Sequence, residues 1–242
     1  MMKPQVGHDP LRLEAAKAAI HDFAGDFGGD YTCISLGQRC SSAWYLKEAG
    51  LKKESYPFDW VFSSTDIVLD CVADSFGKFL DKSLIEVLPD GQKAGHTVYH
   101  STLFNHRSPL KSDADYQYYV RCCDRFMAQI ASKANTLYLI TLINEPHKRP
   151  GWAKGFDRDF QMPTQQSAAT VRPLISALLM GNENSKFLIL DPYTNQVPGV
   201  WYETISRHVL LVKFYAQGNT NGVFYPDKAD DAAMKLILSG LC

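Results

Sequence analysis

Residues 138–143 read YLITLI and residues 187–191 read FLILD. Both runs are short, unbroken by charge until their ends, and rich in branched side chains, as strands covered on both faces require. Working outward, residues 31–36, 97–104, 136–143, 186–190 and 209–215 read as strands. Helical spacing occupies residues 10–27, 41–49, 65–80, 113–132, 164–180 and 227–238. Asp9 and Pro10 mark the start of the first helix and Asp227 that of the last, while Pro173 should kink or interrupt residues 164–180. Strands alternating with helices predict an α/β fold, a single domain with a mostly parallel central sheet flanked by helices. Residues 88–95 and 146–163 read as loops, and the second is long enough to suggest a lid or a binding loop.

The chain has 242 residues, 45% hydrophobic and 21% charged, which suits one large globular domain and excludes a disordered chain. Sixteen Gly and twelve Pro are too few for a fibrous protein. A formal net charge of −1 provides no broad basic field, so general nucleic-acid binding is not expected. The cysteines at 33, 40, 71, 122, 123 and 242 form no C-x-x-C pair, and two of them are adjacent. That layout suits reduced thiols better than a disulfide framework or a zinc ribbon. His96 and His100 have a spacing open to a metal, yet no Cys or carboxylate accompanies them, so no metal or other cofactor is expected. Residues 1–23 lack the apolar core of a signal peptide, and no run of about 18 apolar residues occurs, so a cytoplasmic protein without a membrane span is the expectation.

Residues 34–64, ISLGQRCSSAWYLKEAGLKKESYPFDWVFSS, are the most unusual stretch. A buried strand ends at Leu36, Gly37 permits a tight turn, and Cys40 falls just before or in the first turn of a helix that Ser41 or Ser42 can cap. Unpaired N–H groups and the positive end of the helix dipole favour a thiolate there. The same N–H groups can hold an oxyanion formed by attack on a carbonyl. Gly37, Gln38, Arg39 and Ser41 are therefore candidate substrate-binding or oxyanion positions.

The stretch resembles a mainly bacterial family labelled papain-like cysteine peptidases, whose pattern is S-L-G-x-x-C, a helix of the type L-K-x-x-G-L, then S-x-P-F-D-W. The matching residues are Ser35, Leu36, Gly37, Cys40, Ala43, Leu46, Lys47, Gly50, Leu51, Ser55, Pro57, Phe58, Asp59 and Trp60. The family's F-x-H-D segment is met by Phe104 and His106, with Arg107 where the Asp is usual. Beyond residue 132 the likeness is a general alternation of strand and helix, and residues 1–29 read as a helical extension to a catalytic-type domain over 30–242.

The resemblance implies a cysteine-dependent hydrolase or acyltransferase with Cys40 as nucleophile and His106 as base. Asp59 ranks first as the orienting third group and Asn144 second. A papain-like α+β fold stands as the alternative architecture. The substrate would be a peptide, an amide or a glycan-type compound, and protein partners are not legible. A rival reading is an α/β transferase or binding module for a glycan or a nucleotide-type anion, with Cys40 packing in the core. A third is a scaffold that kept the fold without catalysis.

Overall fold

A computed structural model describes residues 7–147 and 149–242; residues 1–6, where the expected extension begins, lie outside the described residues. Five strands form the central sheet: β1 (Thr32–Ser35), β4 (Thr136–Thr141), β5 (Ser185–Tyr193), β6 (Gly199–Ser206) and β7 (Val209–Tyr215). Their spatial order is β1-β4-β5-β7-β6. The first four in that order are parallel, and β6 closes the edge as the antiparallel partner of β7. A separate antiparallel pair joins β2 (Ile85–Val87) to β3 (Ala94–His96). The protein is thus mixed α/β with a mostly parallel sheet, the first of the two architectures the sequence suggests.

Strand alternation divides the core in two. Ile34, Tyr138, Ile140, Phe187 and Ile189 face one side, where they pack against α3 (Thr65–Ala73), α5 (Asp113–Ser132) and α7 (Arg172–Gly181). Cys33, Leu137, Leu139, Leu188 and Leu190 face the other, covered by α1 (Pro10–Gly25), α2 (Ser41–Glu48) and α8 (Lys228–Leu238). Residues without polar alternation are therefore correct for these strands, because neither face meets water.

The helix starts follow local chemistry. Asp9, Ser64, Ser112 and Asp227 each accept a backbone N–H of the first turn that they cap. Pro173 opens α7 rather than kinking a longer helix, since a first-turn proline sacrifices no helical hydrogen bond. The single helix expected over residues 65–80 is broken into α3 and α4 (Gly77–Leu80) by Ser75 and Phe76, both left-handed with φ 55° and 63°. The break delivers Phe76 into a ring cluster with Phe58, Phe79 and Phe126, centroids 5.6–6.3 Å apart. Such contacts offset the strained backbone.

Two further expectations need correction. Residues 97–104 form no strand. The chain turns back after β3, with His96 N–H donating to the His100 carbonyl at 2.9 Å, and only isolated bridges, Ala94 with Phe104 and His100 with Phe156, remain. The 146–163 segment holds α6 (Arg149–Ala153) and a 3₁₀ turn (Arg158–Phe160) instead of irregular loop throughout. No helix among the described residues is long and apolar enough to cross a membrane.

Candidate active site

Parallel strands deliver the segments that follow them to one edge of the sheet. Residues 37–40 follow β1, residues 142–145 follow β4, and residues 216–223 follow β7. Together with the 146–163 segment, they enclose a cleft of about 530 Å³ lined by Cys40, His106, Ile143, Trp152, Asn221 and Val223 among others. Cys40 Sγ lies 3.3 Å from His106 Nε2 at this cleft.

Each partner is held by backbone geometry rather than by its own strand alone. Cys40 caps the start of α2 with its backbone, its carbonyl accepting the Trp44 N–H at 2.9 Å, and makes no side-chain capping bond. Neither expected serine cap forms: Ser41 accepts from Arg39 Nε at 3.2 Å, and the Ser42 hydroxyl bonds that of Thr141 at 2.7 Å. Gly37 is dictated by space, because a Cβ there would lie 1.9 Å from Ser42 Oγ.

Residues 62 and 63 form a clamp between the two loops. Ser63 donates its hydroxyl to the Gly37 carbonyl at 2.9 Å and its N–H to the Gln38 carbonyl at 3.3 Å, while Phe62 N–H donates to the Leu103 carbonyl at 3.3 Å. The end of the motif stretch therefore ties the cysteine turn to the segment that leads into His106. The Trp60 ring then meets the His106 ring edge-on, centroids 5.9 Å apart.

The electrostatics differ from the expected thiolate. Burial pushes the Cys40 thiol up to about 11, outweighing its own backbone N–H and Arg39, which pull the other way, and Asp59 adds to the rise. His106 is exposed on one side, yet its proton affinity is held below the usual histidine value, by the desolvation of its packed side first and by Lys93 second. Both shifts favour the uncharged forms of the two groups, the thiol and the imidazole.

The remaining sequence candidates fall in different places. Asp59 is buried, but its carboxylate accepts from Lys52 Nζ and from the Tyr56 N–H at 2.8 Å. No hydrogen bond joins it to His106 among those of the described residues. Asn144 likewise turns away: its amide donates to the Gln166 carbonyl at 3.0 Å and to Asp191 at 2.9 Å, and its oxygen accepts the Gln166 N–H. Of Gly37, Gln38, Arg39 and Ser41, Arg39 alone lines the cleft. Gln38 is buried and donates to Gln166 Oε1.

His96 and His100 are both structural. His96 Nε2 bonds the Lys78 carbonyl at 2.9 Å and His100 Nε2 the Trp152 carbonyl at 3.0 Å, while each Nδ1 accepts backbone N–H groups. Each ring is thereby fixed as the neutral Nε2–H tautomer, and no set of three metal-ligating side chains occurs among the described residues. His100 docks the 146–163 segment: Gly155 passes so close that a Cβ would sit 2.2 Å from the ring, and Ser101 N–H donates to the Gly155 carbonyl at 2.7 Å.

The sequence reading missed Glu145. It is wholly buried beneath the cleft, receives Arg39 Nη1, and accepts the Thr220 hydroxyl at 2.9 Å. An acidic residue two positions past a run as apolar as YLITLI was the available signal, since a carboxylate there needs a buried cation.

A thiol and an imidazole in contact at the carboxyl edge of a mostly parallel sheet define an α/β protein with a cysteine–histidine cleft. Residues 31–108 match the model of the family described as "Putative papain-like cysteine peptidase (DUF1796)". That match supports a cysteine hydrolase, and it spans both Cys40 and His106. The chain is also similar to an uncharacterized protein, R408, of Acanthamoeba polyphaga mimivirus, with 26% identity over 220 aligned residues covering 78% of this chain and 90% of that one. No solved structure matches significantly.

Proposed function

We propose that the protein is a cysteine-dependent acyl-transfer enzyme, hydrolysing an amide or ester or passing the acyl group to another acceptor, with Cys40 as nucleophile and His106 as general base. The observation that carries this reading is the 3.3 Å approach of Cys40 Sγ to His106 Nε2 beside a cleft large enough for a substrate.

In this reading the pair rests uncharged, and that sets the order of events. Sγ attacks the carbonyl carbon as its proton passes to His106 Nε2, and the C=O electron pair becomes an oxyanion. The backbone N–H of Cys40, which already favours negative charge at Sγ, and the uncommitted N–H groups of Arg39 in the cleft wall supply donors to that oxyanion. Collapse re-forms the carbonyl and breaks the bond to the leaving nitrogen or oxygen, which takes the proton from His106. The product is a thioester on Cys40. Water then attacks it, His106 accepts the water proton, and the thiol leaves re-protonated as the free acid is released.

His106 lacks a carboxylate partner in this scheme. Its ring is positioned instead by Trp60 and by the Phe62–Leu103 backbone bond. Trp60 is a positioning residue in this reading. Alkylation by iodoacetamide tests the pair. Cys40 should lose reactivity when His106 is replaced by Ala, while exposed Cys242 in the same molecule keeps its rate. Equal Cys40 rates in both proteins would remove His106 as the base.

A further inference from the structure

Two cations, Arg39 and Lys154, line the cleft, and no Asp or Glu is among its described lining residues, although Arg39 shares its charge with Glu145 behind the wall. Arg39 lines its wall and the exposed Lys154 its rim, and Lys93 is near enough to His106 to lower its proton affinity. The neighbouring acids are turned elsewhere. Glu145 lies behind the wall, bonded to Arg39 and Thr220, and Asp59 is bonded to Lys52 and to the Tyr56 backbone. Arg39 commits Nε to Ser41 and Nη1 to Glu145, and a guanidinium carries five N–H donors, so further donors remain. Phe62, Trp152 and Val223 supply apolar wall between these cations.

A cationic ligand entering this space would lose hydration and meet positive charge with no carboxylate to replace its water shell. An anionic ligand would find Lys154 and the remaining donors of Arg39, with low-dielectric walls concentrating the field. Resting on the Cys40–His106 reading, we propose that the substrate is an acyl compound bearing a carboxylate close to the scissile carbonyl, with an apolar or aromatic group for the Phe62–Trp152 wall. Among peptides this corresponds to cleavage beside an acidic residue.

Iodoacetate and iodoacetamide test the proposal, because they differ in a carboxylate against a neutral amide of similar size. In either case Sγ forms a bond to the CH₂ carbon, iodide leaves with the C–I electron pair, and the thiol proton passes to His106. Cys242 is exposed and serves as the reference thiol within the same molecule. The ratio of iodoacetate to iodoacetamide rates at Cys40 should exceed the ratio at Cys242 by about tenfold at low salt, a typical size for a focused field. It should fall as salt screens the field, and fall again in Lys154→Glu, a surface change. A Cys40 ratio no higher than that of Cys242 would overturn the anionic preference while leaving the cysteine–histidine reading intact. Alkylation by both reagents that is independent of His106 would overturn the two together.

Discussion

Cys40 and His106 meet at 3.3 Å although only one of them follows a strand of the central sheet. Cys40 comes from the turn after β1, at the sheet's carboxyl edge. His106 comes from a loop outside the sheet, anchored through the backbone pairing of Phe104 with Ala94 and through Phe62. The two side chains therefore meet without both lying at the ends of parallel strands. The 62–63 clamp does what a shared sheet edge would otherwise do.

The pH dependence of Cys40 alkylation follows from the two shifts. With the thiol raised to about 11, thiolate contributes little at neutral pH, and the rate depends on neutral His106. Because His106 titrates below its ordinary value, the rate should hold steady from neutral pH to below 6.5 and decline only as the imidazole becomes protonated. It should climb again as pH approaches about 11 and free thiolate appears. A plateau extending undiminished to strongly acidic pH would indicate a preformed thiolate–imidazolium pair instead.

Asp59→Asn separates stability from reactivity. The carboxylate is paired with Lys52, whose side chain is 10% exposed, so the amide would leave a mostly buried cation without its counter-charge. Unfolding stability in urea should fall by about 1–3 kcal/mol, as for a buried group left poorly satisfied. Cys40 alkylation should not slow, because removing the Asp59 charge also removes one cause of the raised thiol. Slower alkylation at unchanged stability would restore Asp59 as the partner of His106.

Much of this arrangement was legible in the sequence, and the failures have identifiable physics. The boundaries of β7 and α5 and the caps of α1 and α8 emerge from apolar runs and capping residues, because local chemistry and tertiary burial agree there. Residues 97–104 mislead because their aromatic and branched side chains suit a strand. Gly95 packs against the Ser101 carbonyl, where a Cβ would lie at 2.4 Å, and this turn is a tertiary contact that no local pattern reports. β6 escapes notice for the opposite reason: from Trp201 to Ser206 it is exposed, so no face of it alternates. Cys40 and His106 stand out through motif and position. For Asp59 the aromatic neighbours signal burial, whereas its hydrogen-bonded cation, Lys52, lies seven residues back, a pairing that the motif does not report.

Gly37→Ala examines the turn that aims Cys40. The new Cβ would collide with Ser42 Oγ and Cβ, at 1.9 and 2.5 Å, and would also approach the Arg39 carbonyl at 3.1 Å. Overpacking of this kind costs about 1–3 kcal/mol, and the shifted turn should slow Cys40 alkylation as well. Adding Ser42→Gly removes the two closest atoms, so the double variant should recover part of both losses, a non-additive result measurable by urea denaturation and alkylation together. Strict additivity would mean that the Gly37–Ser42 approach does not govern the turn.

Acyl transfer to Cys40 is the most direct test of the central claim. The protein would be mixed with p-nitrophenyl acetate, nitrophenolate release followed by absorbance, and the acetylated residue mapped by mass spectrometry. The account predicts a burst of nitrophenolate with one acetyl group on Cys40, slowed by about 10²-fold or more in His106→Ala, the usual contribution of a general base. An acetyl group that accumulates on other residues, or a Cys40 thioester that forms equally fast without His106, would contradict it.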